Sequence, residues 1–160
     1  MMSTRRPAGA LAAVLITAAA TSVLSTPAHS APPETTSQPP VRAPVTCFAT
    51  TCDGLDPIAT HCVDDAVTID DATVDGRIIR LRYSAECRAA WAQLWFGKPG
   101  DKAWVRAEDD DGNTVSKRSI KVRPGDENSV YTLMVNDKDL RAHACAELPP
   151  DSNTACTFYY

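Results

Sequence analysis

The stretch VTIDDATVDGRIIRLRY (residues 67–83) sets the fold class. Two β-prone runs flank Asp75-Gly76, a dipeptide that tolerates the positive φ angles of a two-residue hairpin turn. Along the second run Ile79, Leu81 and Tyr83 share one face and Arg80 and Arg82 the other, the period-2 alternation of a half-buried strand. The arginine face reads as solvated, or as paired across the hairpin with Asp70 and Asp71.

Working outward, the same punctuation recurs. KPGD (residues 98–101) and RPGD (residues 123–126) place Pro then Gly at the centre of a turn, which is type II chemistry. Between them lie KAWVRAE (residues 102–108) and TVSKRSIKV (residues 114–122), joined by the polar loop DDDGN. VYTLMVN (residues 130–136) and the short aromatic CTFYY (residues 156–160) read as further strands. SAECRAAWAQLWF (residues 84–96) is different. Ser84 suits a helix N-cap, and Cys87, Trp91, Leu94 and Trp95 fall at i, i+4, i+7 and i+8, so a short helix is expected there. Its last residues, Leu94 to Phe96, also suit a strand. The expectation is a mainly β domain, a small antiparallel barrel or sandwich with one short helix, stabilised by disulfides.

Upstream, Arg5 and Arg6 precede a mostly apolar run from Ala8 to Leu24, and Ala28-His29-Ser30 provides small residues at −3 and −1 of a cleavage site. This is the order of parts in a secretory signal peptide, over residues 1–30. Residues 31–45, with five prolines and few large apolar side chains, read as a disordered leader. Residues 46–160 make one disulfide-rich β domain. Cleavage removes Arg5 and Arg6 but no acid, leaving 14 Lys and Arg against 20 Asp and Glu, a net charge of −6. That balance disfavours nucleic acid as a partner. No second apolar stretch would hold the cleaved chain in a membrane. The expected location is extracellular, as a monomer, with the cell wall or an extracellular protein as partner.

All six cysteines follow the signal segment: Cys47, Cys52, Cys62, Cys87, Cys145 and Cys156. An even count in an exported chain reads as three disulfides. Cys145 is expected to pair with Cys156, because AELPPDSNTA between them is short and rich in turn formers. The other four then pair among themselves, with Cys87 stapling CDGLDPIATHC (residues 52–62) to the segment containing Trp91. A zinc site from Cys47, Cys52, His61 and Cys62 is disfavoured, since His61 and Cys62 are adjacent and the spacing lacks C-x-x-C knuckles. Calcium at Asp53, Asp56, Asp64 and Asp65 is disfavoured too, for want of the alternation of an EF-hand loop. No cofactor is expected.

No G-x-S-x-G elbow, phosphate-binding glycine loop or H-E-x-x-H helix occurs, and only His61 and His143 survive cleavage to act as bases. No catalytic residues are assigned. Trp95, Phe158 and Tyr159 are candidates for an exposed aromatic platform. The function that fits is a non-enzymatic extracellular interaction module; the alternative is a small hydrolase of cell-wall sugar or peptide, using a carboxylate pair.

Cys52, Gly54, Asp56, Pro57 and Cys62, then Arg82-Tyr83-Ser84 and Cys87-x3-Trp91, resemble the secreted bacterial domain of unknown function numbered 2690. The alanine richness and the 11 Arg to 5 Lys fit an actinomycete. The resemblance implies export and a β-rich disulfide fold, with no activity or catalytic residues attached.

Overall fold

The computed structural model describes residues 42–126 and 128–160; the expected signal peptide and all but the last few residues of the expected leader lie outside them. In the hairpin, β1 (Val67–Val74) and β2 (Arg77–Ser84) pair antiparallel around Asp75 and Gly76, both at positive φ (46° and 77°). Two consecutive positive φ values are the type I′ geometry that matches strand twist. Asp70 and Asp71 oppose Leu81 and Arg80 after a bulge between Thr68 and Asp70.

The segment expected to be helical is instead β3 (Ala89–Trp95), paired with β2 from Ser84↔Ala89 to Ile78↔Trp95. Two patterns compete here, and tertiary burial decides between them. Ala90, Ala92 and Leu94 enter the main core, while Ala89 and Trp91 enter a second cluster with the sulfurs of Cys62 and Cys87. A strand covered on both faces reads as a continuous apolar run, and alanine's helix preference is too weak to resist. The N-cap signal at Ser84 is real but serves a turn: its Oγ accepts the Cys87 N–H at 3.0 Å and donates to Asp65. The one helical element among the described residues is a single 3₁₀ turn, Ala49–Cys52.

β4 (Lys102–Glu108) and β5 (Thr114–Lys121) form the second hairpin, and β8 (Arg141–Leu148) pairs with β4 on its other side, followed by β9 (Asn153–Cys156). The expected strand over residues 130–136 is broken into β6 (Ser129–Tyr131) and β7 (Val135–Asn136), both beside β3. Thr132 causes the break: its Oγ1 accepts the Ala92 N–H at 3.1 Å, standing in for a ladder carbonyl. The chain end behaves similarly. Beyond β9, Thr157 donates to the Ala144 carbonyl, and Tyr160 and Ala142 exchange backbone bonds, so the tail still runs beside β8.

The result is two antiparallel sheets, β1-β2-β3-β6 with β7 also on β3, and β5-β4-β8-β9. They pack face to face, so a sandwich is realised. Inward-facing Ile79, Leu81 and Leu94 of the first sheet share a core with Ala103, Ala107, Ala142, Ala144 and Ala146 of the second. Large side chains on one face thus meet small ones on the other. The turn Lys98-Pro99-Gly100-Asp101 adds a polar tie. Asp101, 2% exposed, accepts the Lys98 N–H at 2.8 Å and the Arg77 Nε at 2.9 Å, joining the start of β2 to the start of β4. No helix of the described residues is long and apolar enough to cross a membrane.

Leu81→Ala should lower the unfolding free energy by about 2–5 kcal/mol, because it opens a cavity between the sheets. Val115→Ala, on an exposed edge position of β5, should change it by under about 1 kcal/mol. Denaturant unfolding of both variants checks the difference.

Candidate functional site

Three sets of chemistry-bearing residues stand out, beginning with the sulfurs. Cys47 lies at disulfide distance from Cys52, Cys62 from Cys87, and Cys145 from Cys156, with no free cysteine. The first two pairs touch: the Cys47 and Cys62 Sγ atoms are 3.6 Å apart, and all four sulfurs lie within 4.8 Å of one another. Cys87 therefore joins the loop of residues 52–62 to the β2–β3 turn through Cys62. His61 stays out of the cluster, half-exposed and 3.4 Å from Asp64.

The loop acids do not converge on one point either. Asp53 accepts Ser116 Oγ at 2.6 Å and an Arg118 Nη at 2.7 Å, fastening the loop to β5. Gly54 must be glycine there, since its φ is +79° and a Cβ would sit 3.1 Å from the same guanidinium. Asp56 accepts the Ile58 and Ala59 N–H groups, and Asp65 accepts the Ser84 hydroxyl and the Glu86 N–H. Asp53, Asp56 and Asp65 thus hold loop and turn geometry, and Asp64 faces His61.

The second set covers the outer face of the β5-β4-β8 sheet. Alternation along β4 turns Ala103, Val105 and Ala107 inward, which leaves Trp104 and Arg106 outward. β8 likewise buries Ala142, Ala144 and Ala146, leaving His143 opposite Arg106. His143 lies between Trp104 and Tyr159, with ring centroids at 5.3 and 4.2 Å. Three cations rest on these rings: Lys117 Nζ is 4.2 Å and Arg106 5.7 Å from Trp104, and Arg141 is 5.5 Å from Tyr159. Arg106 also donates to the Tyr159 hydroxyl at 3.1 Å and pairs with Glu108 at 2.7 Å. Burial lowers the His143 pKa, and Arg106 and Lys117 push the same way against Glu108, so the imidazole is neutral at pH 7. Its Nδ1 is buried without a partner.

Of the expected platform residues, Tyr159 belongs to this face and Phe158 is 83% exposed beside it. Trp95 lies on the other sheet, under Arg80 at 5.4 Å. Trp104 and His143 were not singled out as platform residues from sequence. The signal that would have found them is the alanine alternation of KAWVRAE and RAHACAE, which turns Trp104, Arg106 and His143 away from the core.

The third set lines the clefts. A cleft of about 440 Å³ between β5 and β6 holds Asp56, Asp126, Ser119 and Tyr131. Both acids already hold turns: Asp126 accepts the Arg123 N–H at 2.8 Å, and Asp56 accepts the two loop amides and, at 3.4 Å, the Tyr131 hydroxyl. A cleft of about 320 Å³ lies between the loop and the first sheet, lined by Ile58, Arg82, Trp91, Gln93 and Tyr131. Asp137 lines neither, although burial pushes its pKa up to about 7 against the opposing charge of Arg88. Its Oδ1 has no hydrogen-bond partner.

The folded-state pKa of Asp137 is above the unfolded value of 3.8. The folded chain thus keeps a proton that the unfolded chain releases, and stability falls as pH rises from about 4 to 7. Asp137→Asn should remove that fall. The variant should gain on the parent by up to about 4 kcal/mol between pH 4 and pH 8, read from denaturant midpoints at the two pH values.

The family model described as "Protein of unknown function (DUF2690)" matches residues 50–145. No curated protein and no solved structure matches the chain.

Proposed function

The chain belongs to the protein family of unknown function DUF2690, and from that premise we propose that it is a secreted, non-enzymatic binding module for the cell wall. The observation that carries this reading is the outer face of the second sheet. Lys117, Arg106 and Arg141 sit over Trp104 and Tyr159 there, although acids outnumber bases in the chain as a whole. Flat aromatic rings stack on sugar rings, and cations held over them add attraction for phosphate or carboxylate. A wall polymer combining sugars with anionic groups matches both features.

Two further features support this reading. The disulfide-distance pair Cys145–Cys156 and the backbone bonds of the tail fix Tyr159 against His143, so the face is preorganised. Disulfides and the signal-like N-terminus suit an oxidising exterior, where the module acts as a monomer. The hydrolase alternative would rely on Asp56 and Asp126 in the cleft of about 440 Å³, and both carboxylates are occupied in holding turns.

Purified cell wall should retain the protein, and retention should weaken as salt rises. Lys117→Ala and Arg141→Ala should each weaken it about two- to fivefold, the scale of one exposed ion pair with an anionic group of the polymer. Retention unaffected by these changes, or turnover of wall material, would contradict the reading.

A further inference from the structure

We propose that, once reduced, the protein binds one zinc ion through Cys47, Cys52, Cys62 and Cys87. The geometry for this is already assembled. The four sulfurs lie within 4.8 Å of one another, and one non-bonded pair, Cys47 and Cys62, is at 3.6 Å. A tetrahedral zinc with Zn–S bonds of ~2.3 Å separates its sulfurs by ~3.8 Å. Opening the two S–S bonds to that separation, with shifts of up to about an ångström among the other sulfurs, gives the tetrahedral set.

The ligand set differs from the one the sequence suggests. His61 points to Asp64, and its place as fourth ligand is taken by Cys87, brought in by the β2–β3 turn. Backbone bonds at two places add to the hold that the sulfurs give. The Ala49 N–H bonds to the Cys87 carbonyl at 2.7 Å, and the Gly54 N–H and Met134 N–H anchor the loop to the segment before β7. The sulfurs are shielded by Ala89, Trp91 and Met134, which keep water from competing for the ion. Thr60 Oγ1 lies 3.2 Å from the Cys62 Sγ, a hydroxyl able to donate to a thiolate.

The reaction balances with a dithiol as reductant. Two dithiols give four electrons and four protons to the two disulfides and become disulfides themselves. Zinc then displaces the four protons, leaving a tetrathiolate of net charge −2. Reoxidation by a disulfide oxidant reverses the sequence and expels the ion, so metal occupancy follows the redox state.

The test uses the chain from residue 31, reduced with a phosphine in zinc chloride without denaturant, then desalted. One zinc per chain by elemental analysis is expected, with four of the six thiols protected from alkylation. Cobalt in place of zinc should give a thiolate charge-transfer band. Cys87→Ser should weaken zinc binding at least tenfold, whereas the double change Cys145→Ser and Cys156→Ser should leave the stoichiometry at one. Because reduction itself can loosen the fold, near-ultraviolet circular dichroism of the reduced chain is recorded with and without zinc. Zinc should restore the folded signal. Substoichiometric zinc, zinc retained by Cys87→Ser, or a reduced chain left unfolded with zinc present would each overturn the proposal. None of these results bears on wall binding.

Discussion

The join between Cys62 and Cys87 is the constraint on which the N-terminal fifth of the described chain depends. Residues 45–66 contain no strand and a single 3₁₀ turn, so no sheet ladder holds them. Their large apolar residues Phe48, Leu55 and Ile58 are exposed. What anchors the loop is sulfur buried against Trp91 and Met134, with Asp53 fastened to Ser116 and Arg118 at the far side. A loop-closing bridge of this length is worth roughly 3 kcal/mol in chain entropy. Without it the loop has little burial to oppose its own disorder.

The sandwich holds by other means. Alanines on β4 and β8 give the second sheet a shallow inner face, into which Ile79, Leu81 and Leu94 project. The buried Arg77–Asp101 pair fixes the relation of the sheets at one end, and the edge contact of Tyr83 with Tyr160 at 5.0 Å ties the chain end to the first sheet. The same alternation that turns alanine inward turns Trp104, Arg106 and His143 outward. Core and candidate binding face are thus two consequences of one period-2 pattern.

That pattern also explains what was legible in the sequence. The Asp75-Gly76 hairpin and the two Pro-Gly turns carry their own backbone chemistry, so local residues suffice to read them. The segment of residues 84–96 was not readable in that way. Its alanines favour helix locally, its spacing fits both periods, and only burial between two clusters makes it a strand. Thr132 broke an otherwise well-alternating strand through a side-chain bond to Ala92, a contact forty residues away in sequence. The gathering of Cys47, Cys52, Cys62 and Cys87 was equally hidden, since it depends on where the β2–β3 turn falls beneath the loop. The cation–aromatic face is half legible: strand alternation points to Trp104 and Arg106, while the stacking of Tyr159 on His143 requires knowing that the tail runs beside β8.

Mass spectrometry of an unreduced proteolytic digest tests the central claim most directly, because the account assigns one partner to each sulfur. It predicts three cross-linked products, joining Cys47 to Cys52, Cys62 to Cys87, and Cys145 to Cys156. A peptide joining Cys62 to Cys47 or Cys52, or Cys87 to Cys145 or Cys156, would contradict the anchoring of the loop to the sheet.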